Sequence, residues 1–81
     1  MKLYLASKEL DLKELQEKII YFRILKNKYP YLFMSGSTLS AIEDQSDLKS
    51  FNEPVNSVIC EYRGCKVYLD NSLWFGEVEL R

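Results

Sequence analysis

Chemistry at neutral pH usually starts from histidine, and this chain of 81 residues has none. Its absence removes the commonest general base, the usual nucleophile-base triads and most zinc sites. Two cysteines remain, Cys60 and Cys65. A catalytic thiol would need a neighbour that strongly lowers its pKa, and no second cysteine pair completes a tetrahedral metal site. On a strand pair turning at Arg63-Gly64 they lie diagonally on one face, with Cα atoms about 7–8 Å apart, too far for an unstrained disulfide. The expectation is two buried thiols that pack as small hydrophobes.

Three further groupings invite a chemical reading. Ser35-Gly36-Ser37-Thr38, at the start of a short helix, could cradle a phosphate on backbone N–H groups, but it lacks the lysine and spacing of a P-loop. A helix cap, with Ser37 in that role, is the expectation. Glu43, Asp44 and Asp47 could collect a hard cation, yet they do not follow the alternation of a calcium loop and read as a solvated acidic surface. Trp74-Phe75 is the most informative pair. Adjacent residues on a strand point to opposite sides, so one ring is left outside the core, where it either covers a sheet edge or the end of the helix or stands free as binding hot spots do. Tyr31, Tyr62 and Tyr68 would extend that patch, and Glu77 with Glu79 would rim it.

The elements that must position these residues follow from periodicity. Val58 to Asp70 reads as a β-hairpin, because two β-branched and aromatic runs flank Arg63-Gly64 and glycine accepts positive φ cheaply. Tyr62 then faces Cys65, Glu61 faces Lys66, Cys60 faces Val67 and Ile59 faces Tyr68. Val58, Cys60, Tyr62, Cys65, Val67 and Leu69 make one face apolar, with Ile59, Glu61, Lys66 and Tyr68 on the other.

Lys2 to Ala6 reads as a short strand. Ser7 or Asp11 caps a long amphipathic helix, and Asp11 is the better match because Glu14 stands three residues on. Leu12, Leu15, Ile19, Phe22 and Tyr29 form its apolar stripe, Ile20 and Ile24 widen it, and Pro30 ends it. Tyr31 to Met34 is a second strand, returning beside Lys2 to Ala6. Leu39 to Asp44 is a brief helix, Gln45 to Ser57 a surface loop, and Leu73 to Arg81 a terminal strand with Glu77, Glu79 and Arg81 on its wet face. The predicted class is α+β: a small mixed β-sheet with one long amphipathic helix packed on one face, a second short helix, and a C-terminal β-hairpin plus terminal strand. All 81 residues form a single domain, too small to spare many apolar side chains from its core.

Charge is split along the chain. Met1 to Pro30 holds seven Lys or Arg against four Asp or Glu, whereas Tyr31 to Arg81 holds four against eight. Such asymmetry could hold the first half against the second or present an acidic face to a basic partner, and the chain lacks the overall basic excess of a nucleic-acid binder. No apolar run approaches the ~18 residues of a membrane span, the N-terminus turns polar too early for a signal peptide, and two cysteines are too few for a disulfide scaffold. A cytoplasmic protein is expected.

Gly64-Cys65-Lys66-Val67-Tyr68-Leu69-Asp70 followed by Phe75-Gly76-Glu77-Val78-Glu79-Leu80-Arg81, together with Tyr29-Pro30-Tyr31-Leu32-Phe33-Met34-Ser35, resembles the small proteins encoded by phages and prophages of low-GC Gram-positive bacteria. The resemblance covers about half the chain. It implies no activity and carries over no functional residue, but it favours a small accessory protein that acts by binding within the bacterial host cell.

The function expected is therefore non-enzymatic protein binding without a cofactor, through an aromatic and acidic C-terminal sheet surface formed by Trp74, Phe75, Tyr68, Glu77 and Glu79. Self-association through an unpaired terminal strand is one form of it. The alternative is a nucleic-acid-binding regulator using Arg23, Lys26 and Lys28 near the end of the first helix.

Overall fold

The computed structural model describes residues 1–5, 10–45 and 58–81, and the backbone of residues 49–55. Ala6, Ser7, Asp47 and Leu48 lie outside the described residues. The elements run β1 (Lys2–Tyr4), α1 (Leu12–Lys26), β2 (Leu32–Met34), α2 (Gly36–Gln45), β3 (Lys49–Val55), β4 (Val58–Tyr62), β5 (Cys65–Leu69) and β6 (Glu77–Leu80). The fold is α+β, and its mixed sheet has the strand order β1-β6-β2-β5-β4-β3.

The hairpin forms where its local chemistry dictates. Arg63 and Gly64 both take positive φ, 48° and 84°, as the two central residues of a type I′ turn require. Tyr62 pairs with Cys65, Glu61 with Lys66 and Cys60 with Val67, as expected. The register then shifts, so that Val58, and not Ile59, pairs with Tyr68. One extra residue on β4 is a bulge, which frees Ile59 from its expected place. Leu69, expected inside, is exposed at the end of β5.

Strand order departs from the expectation in two ways. β2 does not return beside β1: β6 lies between them, antiparallel to both, while β2 pairs in parallel with β5. The C-terminal strand is thus interior, and the unpaired edge proposed for self-association is absent there. Its ladder to β1 extends to the chain end, where the Met1 ammonium donates to the Leu80 carbonyl at 2.9 Å. The segment expected as a loop contains β3, paired with β4 through Lys49–Glu61, Ser50–Cys60 and Val55–Val58 and interrupted in between. An edge strand tolerates Asn52 and Pro54 because its outer groups need no ladder partner.

One face of the sheet carries Leu3, Leu32, Met34, Cys60, Tyr62, Cys65, Val67, Val78 and Leu80, which pack in one cluster with Leu15, Ile19 and Phe22 of α1 and Ile42 of α2. Tyr62, expected to extend a surface patch, is buried here. Asp11 caps α1 by accepting from the Glu14 N–H at 3.0 Å. The helix stops at Lys26, before Pro30, because Asn27 enters the left-handed region at φ 54°. Tyr29 therefore leaves the helical stripe and lies against Gly64, where an added Cβ would come within 3.0 Å of its ring.

The second helix starts one turn earlier than expected. Ser35, not Ser37, is its cap: Ser35 Oγ accepts from the Thr38 N–H at 3.3 Å. Among the described residues no helix is long and apolar enough to cross a membrane.

Candidate functional site

Trp74 and Phe75 do not lie on the terminal strand. Glu77 N–H donates to the Trp74 carbonyl at 3.0 Å, and Gly76 sits between at φ 87°, as a type II turn demands of its third residue. The turn removes the alternation that would have hidden one ring, so both are exposed, Trp74 at 75% and Phe75 at 47%. Its backbone is held at three points. Gly76 N–H donates to Thr38 Oγ1 at 3.0 Å, the Gly76 carbonyl accepts from Leu5 N–H at 2.7 Å, and Glu77 Oε1 accepts from Trp74 N–H at 2.8 Å. Glu77, expected on the rim, is 8% exposed and works from within, with Lys2 Nζ 3.4 Å from its other oxygen. The turn is held by a buried to part-buried hydrogen-bond network and displays its two largest side chains outward.

The sheet face away from the helices continues from that turn. Across it, Lys2 of β1 registers with Glu79 of β6, Glu79 with Phe33 of β2, and Phe33 with Tyr68 of β5. Phe33 and Tyr68 stack with centroids 5.0 Å apart, and Tyr31 meets Tyr68 edge-on at 5.8 Å. Arg81 lies 4.1 Å above the Phe33 ring and donates through Nε and an Nη to the two oxygens of Glu79, at 2.9 and 3.1 Å. That bond holds the Glu79 carboxyl below its ordinary pKa. Of the five predicted contact residues, Tyr68 and Glu79 thus share the outer sheet face, Trp74 and Phe75 form the turn, and Glu77 supports it. Phe33 and Tyr4 were missed, although alternation alone places both on this face.

The competing sites are dispersed or already occupied. Arg23 stacks on Tyr29 at 4.1 Å, Lys26 closes the helix, and Lys28 lies beyond the Asn27 cap with its Nζ 5.7 Å from the Tyr31 ring. These three cations do not share one helix face. At the Ser35 turn, Gly36 N–H donates to Asn71 Oδ1 and Thr38 N–H to Ser35 Oγ, so neither points at an anion. Burial, with help from Glu43, pushes the Cys60 thiol up to about 11. Cys65 also rises to about 11, again through burial, with Arg23 opposing and Glu61 adding. Both stay protonated at neutral pH, which is the reverse of what a nucleophile needs. Among the described residues no three acidic, cysteine or histidine side chains are grouped to hold a metal ion.

The sequence also misled on α1. Ile20 and Ile24, expected to widen the buried face, are 54% and 75% exposed, and Tyr21 and Leu25 beside them are 50% and 57% exposed. The run Ile19-Ile20-Tyr21-Phe22-Arg23-Ile24-Leu25 is apolar nearly all round, so its pattern could not say which side meets the sheet. A shallow groove of about 520 Å³ runs along it, lined by Ile20, Arg23, Ile24, Asn27, Lys28 and Tyr29. Compared with protein-family models, curated proteins and solved structures, the chain matches none.

Proposed function

We propose that this chain is a small, non-enzymatic protein-binding module, an accessory protein of phage or prophage type working in the cytoplasm of a bacterial host. Trp74 and Phe75 are its anchors, Tyr68 extends the contact across the sheet, and Glu79 supplies a polar rim. The observation that carries this reading is the aromatic pair held outward by a turn whose backbone is pinned to Thr38, Leu5 and Glu77. Rigid, solvent-facing aromatic rings lose little entropy on docking and bury a large area each, which is why hot spots favour them. Two buried free cysteines suit a reducing compartment.

Nucleic-acid binding has less behind it. Arg23 is engaged with Tyr29, Lys28 lies near Tyr31, and the net charge is −1.

Affinity capture from host lysate tests the proposal, with Trp74→Ala and Phe75→Ala as paired controls. A specific partner should be retained by the native chain and lost with either variant, while circular dichroism and melting stay unchanged. If the same proteins are captured regardless of these substitutions, the turn is not the binding site. A mobility shift on single- or double-stranded nucleic acid at low salt would move the reading to the basic alternative.

A further inference from the structure

The second uncovered surface is the outward side of α1, and it is independent of the aromatic turn. With about 100° of rotation per residue, Leu15, Ile19 and Phe22 face the sheet while Glu17, Ile20, Tyr21 and Ile24 fall on the opposite side, flanked by Leu25. Lys28 follows just past the helix end. Four adjacent large apolar side chains, each at least half exposed, make a patch of the kind that marks an interface. Among the described residues no element of the chain covers it.

We propose that this face is the seam of a two-fold symmetric homodimer in which α1 packs antiparallel against α1 of a second copy. The order of residues along the helix argues for that occupant. A two-fold axis midway between Phe22 and Arg23 sets Tyr21 opposite Ile24 of the second copy, with Ile20 and Leu25 on the two flanks, and brings Glu17 level with Lys28, just past the helix end. Each contact occurs twice, so apolar meets apolar at the centre and acid meets base at both ends. A parallel pairing would instead set Glu17 against Glu17 and Lys28 against Lys28. Antiparallel packing also aligns the helix dipoles favourably.

Two further observations fit the second copy. Neither Glu17 nor Lys28 belongs to an ion pair among the described residues, and Lys28, past the Asn27 cap with its Nζ 5.7 Å from the Tyr31 ring, would exchange that contact for the Glu17 carboxylate of the second copy. The groove walled by Arg23 and Tyr29 opens beside Ile20 and Ile24 at one edge of this face and leaves room for an opposing side chain. With a net charge of −1 per chain, repulsion between copies is slight. One short helix per subunit makes a small seam, so the dimer belongs to the weak, concentration-dependent class.

Sedimentation equilibrium over a wide concentration range, on the full chain, tests this. The native chain should dimerise reversibly. Ile24→Glu should raise the dissociation constant roughly 100-fold, since it inserts two charges at the centre of the seam. Glu17→Lys should weaken the dimer roughly tenfold by facing Lys28 with a like charge, and Glu17→Lys combined with Lys28→Glu should restore it. Circular dichroism confirms that each variant is folded. Trp74→Ala should leave dimerisation unchanged, which separates this proposal from the binding role of the turn.

A native chain that stays monomeric at every concentration overturns the proposal, and so does a dimer indifferent to Ile24→Glu. If Ile24→Glu disrupts the dimer but the charge exchange restores nothing, the antiparallel register is wrong. Should the chain be monomeric while Ile24→Glu abolishes retention of a different protein, the patch serves that partner and not a second copy.

Discussion

Two uncovered surfaces among the described residues solve the same problem differently. On the outer sheet face three rings have internal companions: Phe33 stacks on Tyr68 and lies under Arg81, and Tyr31 meets Tyr68 and Lys28. The outer side of α1 has one such ring, Tyr21 with Lys18 Nζ 5.8 Å from its centroid, and otherwise offers Ile20, Ile24 and Leu25, aliphatic side chains with no quadrupole to attract a cation and no hydrogen bond to give. An aromatic sheet face can therefore stay wet at modest cost and remain available. An aliphatic helix face gains only by being covered.

The sharpest way to break this contrast is to compare covered and uncovered positions of one helix. Leu15→Ala, at a fully buried site, should cost about 2–5 kcal/mol in urea unfolding, whereas Ile24→Ala should change the stability of the monomer by less than about 0.5 kcal/mol. Equal losses would mean that the outer face is covered within the monomer. Next in size, Trp74→Ala should weaken partner binding by about 2 kcal/mol or more, measured by calorimetry, while Tyr31→Ala should cost less because that ring is already engaged with Tyr68.

A smaller effect is expected at Glu77. Glu77→Gln keeps an acceptor for the Trp74 N–H but loses the charge facing Lys2, so partner binding should fall several-fold less than with Glu77→Ala, which frees the turn. Amide hydrogen exchange at Trp74 should accelerate in the alanine variant alone.

The pH dependence follows from groups that leave both surfaces untouched. The thiols of Cys60 and Cys65 lie near 9.0 when unfolded and about 11 when folded, so the folded state resists their ionisation. Their contribution is fully present below pH 9 and is lost as pH climbs from 9 toward 11, because the unfolded chain releases those protons first. Cys65→Val should flatten part of that decline in melting temperature. Smallest of all, Glu79 should titrate below the ordinary glutamate range in an NMR titration, and Arg81→Gln should return it toward that range. The stability linked to Glu79 is present above its unfolded pKa and falls away as pH drops through its lower folded value.

Much of the scaffold was legible residue by residue. Arg63-Gly64 encodes its own turn, Asp11 with Glu14 encodes the start of α1, and the alternation of Cys60, Tyr62, Cys65 and Val67 encodes the inner face. The site was legible in part. Trp74 and Phe75 stood out as a pair with one ring outside the core, but the alternation behind that expectation fails because Gly76, at positive φ, turns the chain ahead of β6 and exposes both rings. Phe33 and Tyr4 followed from alternation once their strands were placed. Ile20 and Ile24 gave no usable signal, since a helix segment apolar on every side has no preferred direction inward.

Part of the local backbone chemistry was settled by the sequence itself: the turn where Arg63 and Gly64 take positive φ, the cap where Asp11 accepts an N–H, and the faces where side chains alternate. The tertiary structure alone decided that β6 slides between β1 and β2, that residues 49–55 pair as an edge strand, and that half of α1 faces outward. Those outcomes depend on which distant strands bury the most apolar surface together. Such a competition is resolved among segments far apart in the chain, and no short window of residues contains it.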